Sequence, residues 1–206
     1  MTPALNEHLA ELRACTACPG VQGPPVVGPV AGARVYLMGQ APGPKERDAG
    51  RPFVWTAGTT LFKWFAGLGV PEEIFRERVY MGAVIRCFPG KLAGRQGDRR
   101  PSREEIAACR RYHAREFELL RPALILLVGK MAIESFLPPA RLDEVVGRVF
   151  SHELPHGTVE LLPLPHPSGL NRWIQKDPGK ALLQQALQRL GAHPAWHATF
   201  HDVLAG

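Results

Sequence analysis

Four cysteines, Cys15, Cys18, Cys87 and Cys109, are the residues of this chain whose types and spacing best suit a metal centre. The first two form a Cys-x-x-Cys pair near the N-terminus. Cys87 lies just past an apolar run, and Cys109 lies inside a helical pattern. Four thiolates close a tetrahedral zinc site or ligate an iron–sulfur cluster, and spacing alone does not choose between the two. The plainer alternative is four unlinked thiols, with Cys109 an ordinary core residue. Structural disulfides are rare inside cells, so a set that opens with Cys-x-x-Cys reads first as a metal site.

Two loops carry the remaining chemistry. The first runs Met38-Gly39-Gln40-Ala41-Pro42-Gly43 and continues to Gly50-Arg51-Pro52-Phe53. Its glycines let the backbone approach a flat ligand, its N–H groups could bond base carbonyls, and Phe53 offers a ring on which a base could stack. No Gly-Lys-Ser/Thr follows, so it is not a phosphate-binding P-loop. A tight strand-to-helix turn with a core Phe is the alternative. The second loop is His166-Pro167-Ser168-Gly169-Leu170-Asn171-Arg172-Trp173. A histidine placed there can donate to a developing anion, or simply bond backbone. Leu170 could act as an apolar wedge in a base stack.

These loops need a scaffold. Apolar runs at Arg34–Met38, Val79–Ile85, Leu124–Val128 and Thr158–Leu162 read as buried strands. Helical patterns fall at Thr59–Leu68, stopped by Gly69, and at Ser102–Leu120, which opens with a capping box of Ser102 and Glu105. Lys130–Phe136 and Lys180–Leu190 complete the set. Strands alternating with helices predict an α/β fold: a mostly parallel sheet with right-handed crossovers and helices on both faces. In such sheets ligands bind beyond the carboxyl ends of the strands, where Gly39–Phe53 and Pro163–Trp173 both begin. The Pro/Gly-rich stretch Gly20–Pro29 reads as an extended surface loop. A second loop, Phe88–Pro101, gathers Lys91, Arg95, Arg99 and Arg100.

With 206 residues, no repeat and no low-complexity linker, the chain is expected to form one domain over residues 1–206. Hydrophobic residues at 45% and charged residues at 21% are ordinary for a soluble protein. No apolar run is long enough to span a bilayer, and Met1–Glu11 carries no secretory leader pattern, so no membrane contact and a cytoplasmic location are expected. The formal charge of +6 suits a polyanionic partner, since phosphates held by Lys and Arg release counterions. Candidates for phosphate contact are Arg172, Lys91, Arg99 and Arg100; each could equally be a solvated surface charge.

Taken in order, Cys15/Cys18/Cys87/Cys109, Gly39-Gln40-Ala41-Pro42-Gly43, Gly50-Arg51-Pro52-Phe53-Val54 and His166-Pro167-Ser168 resemble the motifs of the uracil-DNA glycosylase superfamily, most closely its iron–sulfur branch, family four. That branch has four cluster cysteines beginning near the N-terminus, then Gly-Glu-Ala/Gly-Pro-Gly, Gly-Arg-Pro-Phe-Val and His-Pro-Ser. The likeness runs from about Cys15 to Leu190. It implies a three-layer α/β/α sandwich around a four-stranded parallel sheet and a [4Fe–4S] cluster on the four cysteines. It also implies a monomer that cuts the N-glycosidic bond of uracil in DNA and leaves an abasic site. By the same resemblance Phe53 stacks on the everted base. Gln40, Ala41 and Gly43 lie along its edge, and Gln40 and Ala41 help hold the attacking water. Glu46 falls where the family screens the thymine methyl. His166, followed by Ser168, bonds the base carbonyl O2 and stabilises the leaving anion.

This chain departs from the pattern at three places. The family's Glu after the first Gly is Gln40, as in family one. An Asn that reads uracil from the second strand is replaced by Ala83, in Val79-Tyr80-Met81-Gly82-Ala83. A site without that polar reader loses discrimination, and family-five enzymes, which also lack it, accept more bases. Trp55 stands where the family has a small residue. No carboxylate occupies position 41, where family one keeps a water-activating Asp, so Asn171 is the candidate substitute for orienting water or base. The alternatives in view are a broad glycosylase that also takes hypoxanthine or xanthine, a non-catalytic binder of damaged DNA, and a covalent trap. The Arg/His insertion that marks the last of these is not evident.

Overall fold

The computed structural model describes residues 2–94 and 97–204; Arg95, expected in the basic loop, lies outside them. Five strands form one sheet in the order β2-β1-β3-β5-β4. They are β1 (Val35–Gly39), β2 (Tyr80–Ala83), β3 (Leu124–Val128), β4 (Phe150–Leu154) and β5 (Gly157–Leu164). The helices are α1 (Pro3–Arg13), α2 (Pro44–Ala49), α3 (Thr56–Ala66), α4 (Glu72–Arg78), α5 (Arg103–Leu120), α6 (Lys130–Glu134), α7 (Leu142–Val145), α8 (Gly179–Gly191) and α9 (Pro194–Leu204), with a 3-10 turn over Arg172–Gln175. This is the expected α/β architecture with helices on both faces.

The sheet has five strands, one more than expected. β1, β2, β3 and β5 are parallel, and β4 pairs antiparallel with β5 at one edge. In β4 Phe150, His152 and Leu154 are half-buried while Ser151 and Glu153 are exposed. That alternation belongs to an edge strand wetted on one face. β1 and β3 are buried along their whole length, as central parallel strands covered on both faces must be.

The register sets the site. Gly39 pairs with Ala83, and Val128 with Leu164, so the carboxyl ends of the four parallel strands reach one rim of the sheet. On one face Tyr36 and Tyr80, partners in register, stack with centroids 5.2 Å apart. Their hydroxyls donate to Glu116 of α5 at 2.6 and 2.8 Å. The capping box of α5 forms as its sequence indicates: the Glu105 N–H donates to Ser102 Oγ at 3.2 Å and the Ser102 N–H to Glu105 Oε2 at 2.8 Å. Elsewhere Phe65, Phe75, Trp196 and Phe200, all fully buried, join α3, α4 and α9 through ring centroids 4.5 to 6.2 Å apart.

The stretch Gly20–Pro29 is not a free surface loop. Pro25, Val26 and Val27 are buried, and the Gly28 N–H donates to the Met81 carbonyl at 2.8 Å while the Met81 N–H returns to Gly28 at 2.8 Å. Its apolar residues gain more from covering β2 than its prolines lose by giving up freedom.

Candidate active site and four-cysteine cavity

A cavity of about 370 Å³ opens at the carboxyl ends of β1, β2 and β5, within the size range of small-molecule pockets. Gln40, Ala41, Gly43 and Glu46 line it from the loop after β1, Phe53 from the loop that follows α2, Ala83 from β2, Lys91 and Asp98 from the basic loop, and His166 from the loop after β5. Phe53 and His166, far apart in sequence, share this space.

Phe53 is held from several sides. Its φ is +54°, a strained value for a bulky residue. Arg76 of α4 donates to the Pro52 carbonyl and to the Phe53 carbonyl, each at 2.9 Å. It also pairs with Glu72 at 2.8 Å and lies over the Phe62 ring at 4.4 Å. Two hydrogen bonds from a charged donor, each worth about 1.5–3 kcal/mol, can hold a backbone in that region. A Cβ at Gly58 would overlap the Phe53 carbonyl, and one at Gly39 would sit 3.1 Å from the ring. The ring therefore needs both glycines.

The floor is the end of β2. Ala83 presents only a methyl to the cavity, and its carbonyl accepts from His113 Nε2 at 2.9 Å. Burial, helped by the Arg86 charge, lowers the His113 pKa to about 4, so a neutral ring donates this bond. Beneath Gly82, a methyl would overlap the Tyr36 hydroxyl and the Arg86 guanidinium. Arg86 and Glu116 are fully buried and paired, and His8 Nε2 faces the same carboxylate at 3.3 Å. Burial alone would raise Glu116, but the Arg86 charge and the bonds from His8 and Tyr36 hold its pKa at about 2.

His166 is half-buried, and burial lowers its pKa, so its imidazole is neutral at pH 7. Its backbone carbonyl accepts from Asn171 Nδ2 at 2.8 Å, while Asn171 Oδ1 accepts from the Trp173 N–H at 3.2 Å. Asn171 therefore clamps the loop and does not line the cavity. Ser168 likewise caps the Leu170 N–H at 3.2 Å instead of reaching the cavity. Leu170 is 92% exposed and Arg172 is exposed.

Gln40 lines the cavity, with its Oε1 accepting the Met131 N–H at 3.1 Å. The Glu46 carboxylate accepts the Gly43 N–H at 3.1 Å. Asp98, which sequence reasoning passed over, borders both this cavity and an adjoining one that also touches Gln40, Ala41 and His166; it pairs with Lys91 at 2.7 Å. Arg99 is committed elsewhere: it forks onto Glu105 at 2.5 and 2.8 Å and donates to the Gly20 carbonyl at 2.8 Å. Arg100, mostly exposed, pairs with Glu134 at 3.3 Å. Arg76 and His113 were also missed. Each acts through a backbone carbonyl distant in sequence, and an Arg four residues after Glu72 reads as a surface pair.

All four cysteines line a second cavity, of about 270 Å³, and none is in a disulfide. It sits between the segment after α1, the turn after β2, and α5. Burial pushes the Cys87 thiol up to about 12, and its three cysteine neighbours add to that. Burial also raises Cys15, but bonds from Tyr112, the Ala17 N–H and Arg111 outweigh it and lower its pKa. The thiols ring the cavity without converging: among the described residues no three His, Cys, Asp or Glu side chains are grouped to hold a single ion.

No helix among the described residues is long and apolar enough to cross a membrane. A family model described as the uracil DNA glycosylase superfamily matches residues 25–191. A type-4 uracil-DNA glycosylase of Pyrobaculum aerophilum is 31% identical over 143 residues, 67% of this chain and 68% of the relative. Enzymes of the same name from Archaeoglobus fulgidus and Thermotoga maritima are 28% and 30% identical, over 81% and 82% of this chain and 83% and 84% of theirs. The chain belongs to the uracil DNA glycosylase superfamily.

Proposed function

We propose that this member of the uracil DNA glycosylase superfamily is a DNA-repair glycosylase that removes uracil from DNA by hydrolysing its N-glycosidic bond, leaving an abasic site. One observation carries the reading: Phe53 and His166 line one cavity at the carboxyl rim of the sheet. An aromatic face and a neutral donor are what an everted base and its departing charge require.

Extrusion of the nucleotide costs a few kcal/mol and is cheapest at a mispair. The base stacks on Phe53, and its edge meets the backbone and side chains of Gln40 to Gly43. The N1–C1′ bond breaks with its electron pair going to the base. The neutral His166 imidazole donates to the carbonyl O2 as charge builds there, a preorganised interaction worth about 3–4 kcal/mol for a strong donor. Water then adds to C1′ of the oxocarbenium-like sugar, and the proton it gives up neutralises the expelled uracil anion, so the products are the abasic sugar and neutral uracil. Gln40, with Asp98 at the cavity mouth, orients that water. Asn171 acts as a positioning residue for His166. Leu170 enters the vacated stack, and Arg172, Arg100 and Lys91 serve the phosphates.

The four-cysteine cavity fits an iron–sulfur cluster. Its donors are thiols, which suit iron–sulfur and zinc alike. The volume of about 270 Å³ that they line has room for a cluster, and the likeness to type-4 enzymes favours iron–sulfur over zinc. Cys15, Cys18, Cys87 and Cys109 would hold a [4Fe–4S] cluster, whose contribution is to cross-link the N-terminal segment to β2 and α5. The +6 formal charge fits a DNA partner, whose phosphates release counterions to Lys and Arg.

Ala83 supports a second reading, a wider range of deaminated bases, because no polar side chain stands at that point of the floor. One assay tests both readings: purified protein against single- and double-stranded oligonucleotides carrying uracil, hypoxanthine or xanthine, scored by alkaline cleavage. Release of uracil is expected. No release of any of the three overturns the enzyme reading, and release of uracil alone overturns the broad one.

A further inference from the structure

Among the described residues three large apolar side chains stand in water: Trp55 is 57% exposed, Leu92 42% and Leu170 92%. Scattered exposed apolar residues need no explanation, but these three fall on the three loops that border the base cavity. Trp55 is the one that lines the cavity itself. It follows Phe53 by two residues and caps α3 in an extended conformation (φ −117°, ψ −164°), so an 11-residue helix fixes its backbone. Lys45 Nζ lies over its ring, 5.5 Å from the centroid. Phe53, by contrast, is half-buried against Gly39 and Gly58. The cavity is also larger than one pyrimidine needs.

We propose that Trp55 is a second stacking platform, which takes the nucleobase adjacent to the extracted one, with Lys45 meeting the phosphate between them. The inference rests on the glycosylase reading and adds a subsite to it. An indole whose backbone is set by a helix start and that stands more than half in water gains most from a flat aromatic partner, and a lysine beside it supplies the charge that a linking phosphate demands. A neighbour stacked on Trp55 is no longer stacked in a duplex. The subsite therefore favours single-stranded or frayed DNA.

The test crosses two protein changes with two DNA changes. Single-stranded uracil oligonucleotides carry either a normal nucleotide or an abasic analogue on the 5′ or the 3′ flank. With the wild-type protein, deleting the base on one flank is expected to raise KM about tenfold with kcat within about twofold. Trp55→Ala is expected to raise KM by a similar factor and to become indifferent to that flank, while Trp55→Phe restores most of the affinity. Quenching of tryptophan emission by an oligonucleotide bearing a tetrahydrofuran at the target position should be lost in Trp55→Phe. Additive penalties, unchanged quenching, or a Trp55→Ala effect on the choice of target base alone would overturn the proposal. A wild-type protein that binds these strands, shows the quenching and releases no base would overturn the glycosylase reading and leave the stacking subsite standing.

Discussion

The two cavities at either end of residues 82–87 are walled in different ways. The base cavity is set by hydrogen bonds to backbone carbonyls: Arg76 on Pro52 and Phe53, His113 on Ala83, Asn171 on His166. Its shape is complete in the polypeptide itself. The cysteine cavity is ringed by four thiols from three separate elements, and a bound cluster would add a cross-link to the packing and hydrogen bonds that already join them. The base cavity thus takes its geometry from rigid clamps, whereas the cysteine cavity leaves room for a bound group between elements that α1 already joins through the buried Leu5, Leu9 and Leu12.

The sharpest way to break this division is to remove one key group from each side. His166→Ala should slow single-turnover base release by about 10²–10³-fold with little change in melting temperature; a near-native rate removes His166 from the mechanism. Cys87→Ser should abolish visible absorbance near ~400 nm and lower the melting temperature by roughly 10 °C, while the protein that remains folded in the cold keeps base release within about tenfold. If that folded fraction is as inactive as His166→Ala, the two cavities are not separable. Next comes Arg76→Met, expected to reduce kcat about tenfold by freeing Phe53, with KM shifting less; an effect confined to thermal stability would make Arg76 a mere strut. Ala83→Asn should narrow the base range towards uracil by a few-fold in kcat/KM ratios, and an unchanged range would show that position 83 does not set breadth.

The smallest effect concerns acid. Because burial lowers His166, the rate plateau should extend below the ordinary histidine value of about 6.5, and a limb at or above 6.5 would contradict a neutral, buried ring. Stability obeys the same sign. His113 has a native pKa of about 4, so its contribution is complete above about 6.5 and is lost as pH falls from there towards 4. Glu116, held at about 2, adds a loss that begins near its unfolded value of about 4.5 and runs down to 2. Denaturant midpoints measured between pH 7 and 3 check both.

Much of this was legible in local runs of sequence. Leu124–Val128 reads as a strand because five consecutive apolar residues admit little else, and Ser102 with Glu105 announces the start of α5 within four residues. His166 and Phe53 were found because their loops follow apolar runs. β4 was overlooked although Phe150-Ser-His-Glu-Leu alternates as an edge strand should, since its polar half masks the signal. α1 was overlooked although Leu5, Leu9 and Leu12 share a face behind an N-capping Thr2. Asp98, His113 and Arg76 were out of reach for a different reason. Their partners are 7, 30 and 23 or 24 residues away, and only tertiary approach gives those pairings meaning. Asn171 and Arg99 were read as free polar groups because nothing local shows that a loop carbonyl or a helix-capping Glu has already claimed them.

The glycines around Phe53 restrict how such an enzyme can drift. Positions 39, 58 and 82 admit no side chain without displacing a ring, a carbonyl or a buried guanidinium, so lineages that alter what the site accepts have few doors open to them. Substitution enters where the wall is a replaceable side chain, as at 40, 55 and 83. Those are the three positions where this sequence differs from the family-four pattern.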